Sequence, residues 1–300
     1  MLGVLLTIAA LYGGCAMPHK GLHINNRDQT LEPGTIIATA TAEPVSFQEL
    51  VEALRPVRIV YVGEQHTNQA HHNIQLQVIK ALASQDQELS VGIEMVDRTY
   101  QPVLDDWAAG RLTQTQFLQH SHWYANWRFD FELYKAIFDY IRDQHVALYG
   151  LNIPFCIPPK ISTGGIESLR NEERRQLPGT IDMSNTEHRA YVKEIYQMHH
   201  LQGRENFEYF YEAQCVWEDI MAQTIAERLG SGRMVVLAGN GHIVKGFGIP
   251  QRAYRRTQVP YRTIYLAPAG TRIEGDEADY VWVTPPTRWS GHAHARHPSG

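Results

Sequence analysis

Apolar residues recur along this chain with two periods that alternate from Ser46 onward. Ser46 and Glu49 form a capping box that predicts a helix through Leu54, and the apolar run Val57 to Val62 then predicts a buried strand ending at Gly63. Within His71 to Ala83, Ile74, Val78, Ala81 and Leu82 recur at spacings of three and four, which predicts a helix; Leu89 to Val96 is the second strand. Helical pieces follow around Tyr100 to Trp107 and Thr113 to Leu118. Phe131 to Asp143 then places Leu133, Ile137, Tyr140 and Ile141 on one face, before a third strand at Val146 to Leu151. Strands separated by helical spans of this length favour parallel βαβ units, because right-handed crossovers bring each strand back beside the last. The predicted class is α/β, a mainly parallel, doubly wound sheet flanked by helices.

The alternation breaks from Pro154 to about Leu229, where no strand pattern intervenes. A Ser184/Glu187 capping box predicts a helix through His200, and a longer helix spans Glu205 to Leu229, with Phe210, Trp217, Ile220, Met221 and Thr224 as its core stripe. Residues 155–229 therefore read as an inserted small all-helical domain. Strands resume at Met234 to Leu237, Arg262 to Ala267 and Asp279 to Val283, so the α/β domain is assigned to residues 46–154 and 230–284. Residues 16–45 read as a linker and first strand region. Residues 285–300, rich in Pro, Gly, Ser and His, read as a disordered tail, whose His292, His294 and His297 would bind metal only adventitiously.

With 300 residues, 43% of them hydrophobic and 20% charged, the chain can bury one large core plus an appended unit. A net charge of −5 without a Lys/Arg block excludes a nucleic-acid footprint, which needs clustered positive charge. The apolar run Leu2 to Tyr12 followed by Gly13, Gly14 and Cys15 resembles the end of a bacterial lipoprotein signal. Residues 1–15 are thus expected to be a signal with lipidation at Cys15, although Tyr12 and the lack of a basic start depart from that pattern. Nothing after residue 33 is apolar for the roughly 20 residues that a spanning helix needs. Cys156 and Cys215 permit a disulfide in an oxidising compartment without indicating one, and no C-x-x-C or C-x-x-C-H motif is present.

Polar signatures fall where the strand-like runs end: VGEQH at Val62 to His66, GIEM at Gly92 to Met95, GLNIP at Gly150 to Pro154, and LAGNGHI at Leu237 to Ile243. In open α/β sheets, ligands gather outside the carboxyl ends of the strands. Glu64, His66, Glu94, Asn240 and His242 are therefore predicted to share one pocket. Glu64 and His66, two apart, would act from a loop. With Glu94 and His242 they could hold a divalent metal that activates water, or form a metal-free pair in which a carboxylate orients a histidine. The plainer reading is that Glu64 caps the next helix and His242 closes the GNGH turn.

A second concentration of chemistry lies in Tyr191 to Tyr211. Tyr196 and His200 are one helical turn apart, so one face can present a phenol and an imidazole. Such a face suits a flat, anionic, aromatic ligand: tyrosine is an axial ligand for ferric haem, and Lys193, His199 or His200 could take carboxylates. Aromatic residues at helical spacing are more often packing than a cofactor site. The same holds for Trp123, Trp127 and Tyr134 in HSHWYANWRFDFELY, where Arg128 also lies.

The blocks VYVGEQH (Val60 to His66), GIEMVDR (Gly92 to Arg98), LNIP (Leu151 to Pro154), FEYFYEAQCVWEDIMA (Phe207 to Ala222) and VVLAGNGHIVKGFGIPQR (Val235 to Arg252), in this order, resemble the ChaN family. Those are haem-binding, iron-regulated lipoproteins in the superfamily that also holds Tiki proteases and erythromycin esterases. The resemblance spans residues 46–255 and implies a parallel sheet with a small helical domain, and haem held between two subunits of a homodimer. It implies iron bound by a tyrosine, here Tyr196 or Tyr209, and propionates met by Lys193, His199 and His200. It also implies a lipid anchor in the cell envelope, at the outer membrane facing the periplasm, and a haem receptor or transport partner. The alternative from the same superfamily is a metal-dependent peptidase or esterase in which Glu64, His66, Glu94 and His242 are catalytic.

Overall fold

The computed structural model describes residues 22–24, 27–29, 31–86, 88–198 and 205–286. Its strands are β1 (Leu22–Ile24), β2 (Arg27–Gln29), β3 (Ile36–Ala38), β4 (Glu43–Val45), β5 (Ile59–Glu64), β6 (Leu89–Asp97), β7 (Ala147–Asn152), β8 (Arg233–Gly239), β9 (Tyr261–Pro268) and β10 (Tyr280–Thr284). Its helices are α1 (Phe47–Leu54), α2 (Gln69–Ala83), α3 (Gln101–Ala108), α4 (Gln114–His120), α5 (Trp123–Asn126), α6 (Lys135–Asp143), α7 (Ile157–Gly164), α8 (Asn171–Arg174), α9 (Thr186–Met198), α10 (Phe207–Arg228) and α11 (Ile249–Thr257).

An eight-stranded sheet runs β4-β3-β10-β9-β5-β8-β6-β7. From β10 to β7 every neighbouring pair is parallel, whereas β3 joins β10 and β4 antiparallel at one edge. β1 and β2 pair in a separate ribbon. The α/β class read from the alternating periods is the fold observed. Side-chain alternation along each strand splits the core between two faces. Val60, Val62, Val91, Ile93, Val235 and Leu237 pack against α1, α2, α3 and α6, while Ile59, Tyr61, Met234, Val236 and Ala238 pack against α7, α10 and α11. Each fully buried aliphatic side chain contributes about 1.5–3 kcal/mol. The described residues of 155–229 hold no strand, and α10 lies on the sheet with Val216, Ile220, Met221 and Ile225 fully buried. Trp217 and Phe210 of the predicted stripe are only partly buried.

The edges are protected differently. β4 is three residues long and contains Pro44, which donates no hydrogen bond. On β7 the Gln101 side chain stands in for a further strand: its Nε2 donates to the Leu148 carbonyl (2.8 Å) and its Oε1 accepts from Gly150 N–H (3.2 Å).

Helix α1 starts as its sequence predicts, with Ser46 and Glu49 in a complete capping box. Helix α9 does not. Its start is capped by Asn185, whose Oδ1 accepts the N–H groups of Glu187 and His188 at 3.0 Å, while the Ser184 hydroxyl donates to Asp182. Asn is as strong a cap as Ser, and the competing Asp182 acceptor draws Ser184 away. Cys156 is exposed and Cys215 buried, and both are free. The predicted signal residues 1–15 with Cys15, and His292, His294 and His297, lie outside the described residues.

Candidate acid and histidine site at the strand ends

The carboxyl ends of three adjacent strands, β5, β8 and β6, carry Glu64, the Gly239–His242 turn and Glu94. Alternation decides where each side chain goes. Glu64 shares the parity of Val60 and Val62 and enters the α2/α6 face. Glu94 has the opposite parity to Val91 and Ile93 and enters the α10/α11 face. The two carboxylates therefore leave the sheet on opposite sides.

Glu64 is 2% exposed and surrounded by donors. Its Oε1 accepts from the Tyr134 hydroxyl (2.8 Å) and faces His66 Nδ1 (2.8 Å); Oε2 accepts from Gln75 Nε2 (2.9 Å) and faces His72 Nδ1 (3.3 Å). Burial alone would raise its pKa, but hydrogen bonds from His66 and His72 outweigh that and hold it well below the usual carboxylate range. The plainer role, capping the next helix, falls instead to Asn68, which accepts from Ala70 N–H. The bond to Glu64 fixes the His66 ring so that its far edge crosses the strand end. A Cβ at Gly239 would lie 3.1 Å from His66 Cε1 and 3.6 Å from Glu94 Oε2, so glycine is what lets the two approach. A side chain at Gly63 would likewise run into the Asn240 carboxamide. Trp127 and Phe129 wall His66, with ring centroids 4.7 and 5.0 Å away.

On the other face, Glu94 Oε2 accepts Gly239 N–H (2.7 Å), and its Oε1 lies 3.4 Å from His242 Nε2. His242 Nδ1 is 3.4 Å from Glu218 Oε1 and 3.1 Å from the Gln214 carboxamide. Glu218 Oε2 in turn faces His188 Nε2 (3.1 Å) and Arg252 Nε (3.3 Å), and Arg252 also holds Asp219. Burial works against the charged His242 ring, but the Glu94 carboxylate and the hydrogen bond to Glu218 push its pKa up to about 10. His66 is raised as well: burial lowers it, and Glu64 and Glu94 together more than offset this. Burial raises Glu218, yet His188 and His242 bring it well below its ordinary range.

The arrangement is a line of alternating acid and base, Glu64, His66, Glu94, His242, Glu218, His188, passing from one face of the sheet to the other at the carboxyl ends of β5, β8 and β6. It can hold protons on two imidazoles beside carboxylates that orient them, which is the layout of acid/base chemistry. Among the described residues no group of three or more His, Cys, Asp or Glu is placed to hold a metal ion. The divergence of Glu64 and Glu94 explains why the predicted four do not close round one point.

The structure thus brings together Glu64, His66, Glu94 and His242, with Asn240 at the turn. It also adds Tyr134, His72, Gln75, Glu218, His188 and Arg252, which the sequence reading did not place there. Two signals pointed to them: His72 and Gln75 are polar residues on the inner side of α2, and Glu218 and Asp219 interrupt the apolar stripe of α10.

The predicted haem-face residues lie elsewhere, on α9 and α10. Tyr196 is half-buried, its ring 5.5 Å from Phe207 and 5.3 Å from Phe210. Lys193 is exposed, with its ammonium 5.9 Å over Phe207. Tyr209 faces another way, its ring carbons 2.8 and 3.0 Å from where a Cβ on Gly165 would sit. The structure does not join Tyr196 and Tyr209 in one patch. His199 and His200 lie outside the described residues.

A parallel sheet wound on both faces, with acid/histidine pairs at its strand ends, defines a class of fold shared by binding proteins and enzymes alike. Within it, the family described as "Haem-binding uptake, Tiki superfamily, ChaN" matches residues 50–253, and the chain belongs to that family. A solved structure, "Cofacial heme binding to ChaN of Campylobacter jejuni", superposes with a TM-score of 0.68 at 21% identity, covering 84% of this chain and 97% of that one. An erythromycin esterase, EreC, in an open conformation overlaps more loosely, with a TM-score of 0.47 and 13% identity over 79% of this chain and 76% of that one. Among curated sequences, the chloroplastic protein RETICULATA-RELATED 5 of Arabidopsis thaliana is 23% identical over 277 residues, which is 82% of this chain and 37% of that protein. The chain spans little more than a third of the length of that relative.

Proposed function

We propose that this protein binds ferric haem at an interface between two copies of itself, on the face formed by α9 and α10. The observation that carries this reading is an aromatic floor of tilted rings, Phe207 and Phe210 around the Tyr196 phenol, with the Lys193 ammonium and the Arg189 guanidinium over Phe207. At the end of α9 Met198 is 68% exposed. Membership of a haem-binding family supports the choice of ligand. Tyrosinate is a hard anionic donor suited to ferric iron, and a lysine takes a propionate by a charge-assisted hydrogen bond. Tyr196 is preferred to Tyr209 because the latter ring is packed on Gly165. His199 and His200, next in sequence after α9, belong to the same propionate set. Bound haem supplies the iron centre and its Soret absorption; the chain's own residues orient the porphyrin, and a second copy excludes water from its other face. Processing at Cys15 would tether the protein to the outer membrane on its periplasmic side, where a receptor or transport component exchanges haem with it. Among the described residues no helix is long and apolar enough to cross a membrane.

Hemin titration tests this. The wild-type chain should give a saturable Soret shift with one haem per chain, and Tyr196→Phe should lose the tyrosinate charge-transfer band. An unchanged spectrum in Tyr196→Phe combined with its loss in Tyr209→Phe moves the ligand to α10; unchanged spectra in both remove this face as the iron site.

A second reading rests on the carboxylate-oriented imidazoles. Glu64, His66, Glu94 and His242 fit a hydrolase acting on a peptide or ester, with the His66 and His242 imidazoles each set beside a carboxylate. Hydrolysis of activated esters that disappears in Glu64→Gln, with hemin binding intact, would establish this as a separate activity.

A further inference from the structure

Helix α9 has two working faces. The outer one carries Lys193, and Tyr196 lies between it and buried Val192, packed on Phe207 and Phe210 of α10. The inner one reaches the turn that holds His242: the Tyr191 hydroxyl lies 3.7 Å from where a Cβ on Gly241 would sit, and His188 meets Glu218, the same carboxylate that faces His242 Nδ1. Among the described residues α9 is further held by Val192, in a small cluster with Tyr211 and Cys215, and by half-buried Tyr191 and Tyr196; of its thirteen residues only His188 and Val192 are fully buried. Asn185, its cap, is held by Gln251 of α11 through a 3.1 Å hydrogen bond, and Arg189 spans to Glu208 at the surface. An element with so few buried contacts belongs to the low-stability part of a fold, where local opening is easiest.

We infer that α9 links the two sites: a ligand seated on its Lys193/Tyr196 face clamps Tyr191 over Gly241 and His188 onto Glu218, and so controls access to His242 at the strand ends. The inference rests on the haem reading of the outer face and adds to it a regulated second site. Linkage makes the effect reciprocal, so anything that favours the open position of α9, a loosened inner face included, weakens haem binding. The path is physical and short, running from Tyr196 along one helix to His188 and Tyr191, and from Glu218 to His242. His242 is 12% exposed at its side chain, so a modest movement of α9 changes how much of it solvent reaches.

The test uses the full chain with hemin as ligand and imidazole C2 deuteration as the histidine modification, which proceeds through the protonated ring that His242 carries, each histidine being followed by peptide mass spectrometry. Exposed His122, on a separate loop, is the internal reference. Hemin should slow modification of His242 by about fivefold or more, the lower end of the range for coupled sites, and leave His122 unchanged. His188→Gln and Tyr191→Phe should speed His242 modification without hemin and shrink the protection, while both variants bind hemin more weakly. A Soret shift in the same sample separates the two claims. If hemin binds and the His242 rate does not move, the linkage is wrong. If hemin binds and His188→Gln/Tyr191→Phe keeps full protection, haem shields His242 directly and the linkage is again wrong. If no Soret shift occurs, the haem reading fails and the linkage with it.

Discussion

Arg252 is the residue on which two buried carboxylates depend. It is 2% exposed, and it meets Glu218 through Nε and Asp219 through Nη1, which also donates to the Asp182 carbonyl at 2.7 Å. Removing one partner of a buried ion pair leaves an uncompensated charge, which costs about 3–5 kcal/mol. Arg252→Met should therefore lower stability to denaturant by that order, with fold and denaturant slope retained; a loss under about 1 kcal/mol would mean that Arg256 on Asp219 and the two histidines on Glu218 compensate for the guanidinium. His242 makes a pH-dependent contribution of its own. Its folded pKa of about 10 lies above the ordinary histidine value of about 6.5, so its stabilisation is complete below the latter and is lost as pH rises through the former. Each unit of that shift is worth up to about 1.4 kcal/mol. Thermal melts should show Tm falling between about pH 6.5 and about 10, and His242→Gln should flatten the decline; an equal slope in both proteins would assign it to other groups.

At the scale of elements, the start of α9 separates two residues that look interchangeable in sequence. Ser184 and Glu187 fit the capping-box spacing, but Asn185 makes the cap. Asn185→Ala should cost about 0.5–2 kcal/mol of local α9 stability, read by amide exchange across Thr186 to Met198. Ser184→Ala, which removes only a turn contact to Asp182, should change exchange there by a few tenths at most. The strand positions and the class of fold were legible because buried parallel strands and flanking helices differ in period, and β5, β6, β7 and β8 all fall where the apolar runs do. The convergence of Glu64, His66, Glu94 and His242 was legible from their places at strand exits. What period alone did not convey was the face: Glu64 and Glu94 share a strand end but have opposite parity, which follows only once strand register is known. Tyr134 and His188 were hidden for a different reason. They come from helices whose angle to the sheet decides what they reach, and no local pattern encodes that angle.

At the scale of the whole molecule, haem and self-association must be linked if the porphyrin sits between two copies. One chain offers a single aromatic floor, Phe207 and Phe210 with Tyr196, and leaves the opposite face of any flat ligand in water. A second copy supplies the missing wall, so haem binding stabilises the dimer and the dimer raises haem affinity, by mass action in both directions. Sedimentation velocity followed at the Soret band and at 280 nm separates the possibilities. Haem should travel only with a boundary of dimer mass, the apparent affinity should rise with protein concentration, and Tyr196→Phe should remain monomeric when hemin is added. Haem moving with a monomer boundary at every concentration would confine the site to one chain, leaving the α9 floor as a one-sided platform and removing the need for a partner copy.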